Sequence, residues 1–137
     1  MKDRACLDAG VITLFYAEDV PDQITMLKNQ IKNKTIDAYT LNPLLTEAVF
    51  HICKIKGGDA ATQRITSFLN TYPISIVPID TSIVIKAGLL RCQYRGILSY
   101  NDCFAVAFCL NKRITLHTTE KGFKKILPKL SLQTYNF

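Results

Sequence analysis

A chain of 137 residues, 48% apolar and 20% charged, suffices for one domain (residues 1–137) with its own core, which excludes a disordered chain or a miniprotein dependent on disulfides or structural metal. Seventeen Lys and Arg against 11 Asp and Glu leave a formal charge of +6, which favours a polyanionic partner without establishing one. No stretch approaches the roughly 20 apolar residues that span a bilayer, and the first residues lack a signal-peptide pattern. A soluble, cytoplasmic protein with no membrane partner is therefore expected.

In chain order, Ala5 to Leu7 reads as a short strand ending at Asp8, and Gly10 to Ala17 carries Val11, Ile12, Leu14 and Phe15 at helical spacing. A helix follows from Pro21 to Lys32, with Pro21 suited to a first turn. Ile36 to Thr40 is a second strand. Asn42 and Pro43 signal a helix start, Asn as cap and Pro in the first turn. That helix carries Leu44, Leu45, Ala48, Val49 and Ile52 on one face and stops at Gly57 and Gly58. Asp59 to Leu69 is amphipathic, and Ile74 to Ile79 is a β-branched strand. Asp80, Thr81 or Ser82 can cap the next helix, which runs to about Arg91.

Tyr94 to Leu98 is a polar loop around Gly96, and Ser99 to Leu110 is a strongly apolar helix. Arg113 to His117 is predicted as a strand, Glu120 to Leu127 as a short helix and Ser131 to Thr134 as a last strand. Alternating strands and helices predict a three-layer α/β/α sandwich around a mainly parallel sheet of four to five strands. Its ligand site then lies beyond the carboxyl ends of the strands.

Four acids fall at such places. Asp8 and Glu120 follow strands, Glu47 lies in the first turns of the helix opened by Asn42, and Asp102 sits in the first turn of the most apolar helix. Singly, Asp8 can be a turn residue, Glu47 and Asp102 can favour helix N-termini, and Glu120 can be solvated. Together they suit metal chemistry: clustered carboxylates repel and retain protons unless a cation neutralises them. Mg2+ prefers hard oxygen ligands and shares them with phosphate oxygens, and such ions activate water for in-line attack on a phosphodiester.

The segments Cys6 to Ala9, Leu44 to Ala48, Leu98 to Ala107 and Thr118 to Phe123, in that order, resemble the PIN-domain family, and the length resembles its VapC-type toxins. Residues 77–80 and the following helix also fall where that family has a strand and helix. The resemblance implies a PIN-like fold and hydrolysis of single-stranded RNA with Mg2+, or Mn2+ in its place. It implies catalytic and metal-binding roles for Asp8, Glu47, Asp102 and Glu120, an antitoxin protein as partner, and a homodimer. Glu120 departs from the family's usual Asp and reaches one methylene further, so it can bind the metal directly or through water. Thr118 and Ser99 match small hydroxyl residues of the family and can serve as caps or at the metal.

Among basic residues, Arg91 and Arg95 flank the loop before Asp102, and Lys121, Lys124, Lys125 and Lys129 follow Glu120. They can hold RNA phosphates or simply face solvent; Arg95 and Lys121, together with Thr118 and Ser99, are the substrate-binding candidates. Tyr94 and Tyr100 can stack a base or pack. His51 and His117, the two histidines, are not needed by the chemistry. The stripe of Leu14, Phe15, Ile24, Leu27 and Ile31 reads as core, or as a docking face if exposed. Cys6, Cys53, Cys92, Cys103 and Cys109 contain no C-x-x-C pair and read as reduced, small hydrophobes. Two other classes are open: an inactive PIN-like module that binds RNA or docks protein, and a phosphoryl-accepting receiver domain. The receiver lacks support, because Asp8 stands alone after its strand and Val77 to Ile79 offers no acceptor.

Overall fold

Ala5, Cys6 and Leu7 are completely buried, as befits a strand covered on both faces, and they form the middle of the sheet. The computed structural model describes residues 2–136. Its strands are β1 (Asp3–Leu7), β2 (Ile36–Leu41), β3 (Ile74–Val77), β4 (Thr115–Thr118) and β5 (Leu132–Thr134), ordered β3-β2-β1-β4-β5. Every neighbouring pair is parallel, so helices make the crossovers. They are α1 (Ala9–Leu14), α2 (Asp22–Lys32), α3 (Asn42–Lys56), α4 (Gly58–Thr71), α5 (Thr81–Gln93), α6 (Tyr100–Lys112) and α7 (Phe123–Ile126). The predicted three-layer α/β/α sandwich with a parallel sheet is therefore the observed fold.

Because side chains alternate along a strand, β1 feeds two cores. Cys6 packs with Val106, Ala107 and Leu116 against α5 and α6. Ala5 and Leu7 pack with Ile12, Ile24, Leu27 and Phe68 against α1, α2 and α4. Helix α3 serves both, with Leu44 in the first core and Ala48 and Ile52 in the second. The stripe of Phe15, Ile24, Leu27 and Ile31 is buried, so it is core; Leu14 is only partly covered. Cys6, Cys103 and Cys109 are buried, Cys53 and Cys92 exposed, and all five are free thiols.

Local chemistry shifts several predicted boundaries. The strand expected to reach Ile79 ends at Val77, because Pro78 has no N–H for a ladder; Asp80 then caps α5 by accepting from Ile83 N at 2.9 Å. Asn42 is not a cap. It is the first helical residue, and Leu41 occupies the cap position without a side-chain bond. The helix expected over Glu120 to Leu127 is the single turn α7, entered from Gly122 at φ 96°, so Glu120 stands in a loop. Helix α1 ends at Leu14 rather than Ala17. Among the described residues no helix is long and apolar enough to cross a membrane.

Candidate active site

The carboxyl ends of β1 and β4 lie side by side, with Leu7 opposite His117, and this register brings the first acid to the fourth. Asp8 leaves β1 as the cap of α1 and is 6% exposed. Its Oδ1 accepts from Ala9 N at 2.9 Å, and its Oδ2 accepts from the Thr118 hydroxyl at 2.7 Å. Thr118 Oγ1 in turn accepts from Glu120 N at 3.0 Å. One threonine thus orients Asp8 and fixes the loop carrying Glu120, a role that neither of its two expected ones described.

Glu47 faces the site from α3, where its Oε1 accepts from Asn101 Nδ2 at 2.7 Å. Asn101 also donates to Pro43 O at 3.3 Å, tying the start of α6 to the start of α3. His51 Nε2 lies 3.4 Å from Glu47 Oε2. Asp102 is held by its own helix start: Ser99 N donates to Asp102 Oδ2 at 3.0 Å while Asp102 N donates to Ser99 Oγ at 3.1 Å. This reciprocal capping box makes Ser99 a cap.

Electrostatics connect the four. Burial pushes the Asp8 carboxyl up to about 6, against the lowering hydrogen bonds from Thr118 and Ala9, and the charges of Asp102 and Glu47 raise it further. The Glu120 carboxyl is also raised, first by burial and then by the same two charges. Asp102 and Glu47 therefore act on both acids at the sheet edge, and the four carboxylates share one region.

As placed, no three His, Cys, Asp or Glu side chains among the described residues stand close enough to hold a metal ion. The hydrogen bonds say where the carboxylates are held instead: Glu47 by Asn101 and His51, Asp102 by Ser99. The donor set is all carboxylate, hard and anionic, which fits Mg2+ or Mn2+, and the mutual repulsion is of the kind a cation relieves.

The remaining candidates scatter. Lys121 lines a cavity of about 370 Å3 with Gly10, Thr119 and His51, next to the acids. Arg95 is exposed in the turn before α6. Tyr94 packs against the core and donates to Ile126 O at 3.4 Å; Tyr100 is 64% exposed, its ring 5.0 Å from the Arg91 guanidinium carbon. His117 is buried away from the acids, its Nδ1 2.9 Å from the Tyr135 hydroxyl. The sequence reading passed over Asn101 and Gly10. A Cβ on Gly10 would collide with Thr119 Oγ1, so α1 approaches the loop after β4 closely enough that a larger residue there would have to displace the Thr119 side chain.

The family profile of the PIN domain matches residues 5–127, and no curated protein matches the chain by sequence. Among solved structures, the chain is similar to VapBC2 from Rickettsia felis bound to a promoter DNA fragment. The TM-score is 0.75 and the identity 20%, over 97% of this chain and 99% of that one. It is similar to DNA-bound VapBC from Salmonella typhimurium, with a TM-score of 0.74 and 14% identity over 98% of each chain. It is also similar to VapC20 of Mycobacterium tuberculosis, a sarcin–ricin loop cleaving toxin, at 0.70 and 12% over 92% of this chain and 95% of that one. Identities this low speak for the fold, whereas the profile spans most of the sequence: the chain belongs to the PIN domain family.

Proposed function

We propose that this protein is a metal-dependent ribonuclease that hydrolyses phosphodiester bonds of single-stranded RNA, with Asp8, Glu47, Asp102 and Glu120 as its catalytic acids. What supports the reading is the carboxyl edge of the sheet, where Thr118 ties Asp8 to the loop of Glu120 and the charges of Asp102 and Glu47 reach both acids. Bound Mg2+ or Mn2+ would neutralise that charge and supply an activated water.

The chain's own residues do the rest. Thr118 and the Ala9 N–H fix both oxygens of Asp8, which limits the reorganisation needed when the site fills. Asn101 holds one Glu47 oxygen toward the start of α6. Lys121, beside the acids, offers a cation for the RNA backbone, and the exposed Arg95 a second one further out. Between α1 and α3, a cavity of about 390 Å3 lined by Leu14, Ile52 and Ile55 suits an apolar segment of an antitoxin. The VapBC relatives supply the analogy for a toxin role in the cytoplasm. Val84, Ile85 and Leu89, exposed on α5, suit pairing of two copies into a homodimer.

The test is cleavage of labelled single-stranded RNA in Mg2+, Mn2+ or EDTA by wild type, Asp8→Asn and Asp102→Asn. Cleavage is expected with either metal in wild type alone; cleavage that persists in EDTA or in both variants refutes the reading. A second reading, an inactive docking module, draws on the engagement of Glu47 by Asn101 and His51. It predicts RNA binding without cleavage under every one of these conditions.

A further inference from the structure

On the opposite side of Tyr135 from the acids lies a cavity of about 600 Å3, within the range that takes small organic ligands. Its floor is the part of the sheet that α2 leaves uncovered. Thr115 and His117 share one face of β4, and Gln133 of β5 lies two residues before Tyr135, which follows that strand. Its wall is a stripe of α2, Gln23, Met26 and Gln30, whose spacing of three and four puts them on one helix face, while Ile24, Leu27 and Ile31 turn inward. A parallel sheet normally has both faces covered; here Thr115 is half-buried and Gln133 exposed, so this face is partly open beside α2.

The lining selects the chemistry. Three glutamine amides each offer a planar donor and acceptor, and Asp3 adds an acceptor. His117 and Tyr135 are both buried and engage each other, His117 Nδ1 lying 2.9 Å from the Tyr135 hydroxyl. Among the described residues the cation of the lining is Arg4, which donates to the carbonyls of Lys112 and Arg113 at 2.8 and 3.2 Å. With that cation engaged and Asp3 present, a phosphate is disfavoured. Ile36 and Met26 supply apolar surface for the faces of a ring. A neutral, planar heterocycle with donors and acceptors on its edge satisfies all of these groups, and glutamine amides are well suited to reading such edges.

We propose that this cavity is a base-recognition subsite, taking the nucleobase and ribose of one RNA nucleotide. Tyr135 also lines the cavity that holds Gly10, Thr119 and Lys121, so the two cavities adjoin at that residue. A strand could lay its phosphates by Lys121 and turn one base past Tyr135. The inference deepens the ribonuclease reading and rests on it for the RNA, but the subsite can be probed without cleavage.

The experiment is titration of wild-type protein in EDTA with guanosine, adenosine, cytidine, uridine and free ribose, followed by ligand-observed NMR. At least one nucleoside is expected to bind saturably and more tightly than ribose. Gln133→Leu and Gln30→Leu should each weaken it about tenfold, the scale of one good edge contact, while Lys86→Ala on α5 leaves it unchanged. Absence of binding by all four, binding equal to that of ribose, or indifference to both glutamine changes would overturn the subsite. In a parallel RNA digest, Gln133→Leu should change which base is preferred near the cut. Nucleoside binding without RNA cleavage would sink the ribonuclease reading and leave the subsite standing; cleavage without nucleoside binding would do the reverse.

Discussion

Asp8 concentrates the electrostatic tension of the site in one carboxyl. Its pKa in the fold is about 6 against an ordinary 3.8, so the folded protein binds the extra proton between those values. Metal-free protein should therefore gain stability from Asp8 as pH falls from about 6 to about 4, and lose it as pH rises through 6. The charged form costs the fold about 3 kcal/mol at neutral pH by the same linkage. Asp8→Asn removes that cost, and its melting temperature in EDTA at pH 7 should exceed wild type by several degrees even though activity is lost. His117 works in the opposite sense. Its pKa is lowered to about 4 from 6.5, so its stability contribution is present above 6.5 and is lost as pH falls toward 4. With Asp8 replaced, the His117 slope is no longer offset, and Asp8→Asn should lose melting temperature between pH 6.5 and 4 faster than wild type. Equal slopes for the two proteins would refute the Asp8 assignment. Asn101→Ala should cut RNA cleavage by about 10–100-fold, the usual cost of losing a partner that orients a metal ligand, with little change in melting temperature. Glu120→Gln, on a loop, should cost less than Asp102→Asn in the same assay.

At the level of elements, the packing of α1 on the loop after β4 decides whether Glu120 is presented. Gly10→Ala drives a Cβ into Thr119 Oγ1, and such overpacking costs about 1–3 kcal/mol. Activity and melting temperature should both fall, and Thr119→Ala in the same chain should restore much of each by removing the colliding hydroxyl. A double variant no better than the single one would mean that glycine is needed there for another reason. Elements marked by chemistry within their own few residues were legible in the sequence: the buried run Ala5 to Leu7, the cap at Asp80, the helix stop at Gly57. Features set by distant neighbours were not. The length of α7 depends on Gly122 adopting φ 96°, and the close approach at Gly10 comes from a threonine more than a hundred residues later. The positions of the four acids could be read because each follows a strand or opens a helix. Asn101 could not be singled out, since its partners Glu47 and Pro43 meet it only through the packing of α3 on α6.

For the whole molecule, the parallel order β3-β2-β1-β4-β5 puts the ends of β1 and β4 at the middle of one edge, and Asn101 ties the start of α6 to Glu47 and the start of α3. The central claim is that these four carboxylates hold one divalent-ion site. Manganese titration of the metal-stripped protein, followed by electron paramagnetic resonance, measures this without reference to RNA. Wild type should bind Mn2+ saturably and release it to excess Mg2+, whereas Asp8→Asn and Asp102→Asn should each bind at least about tenfold more weakly. Wild type that leaves Mn2+ free in solution, or variants that bind it as wild type does, would contradict the account.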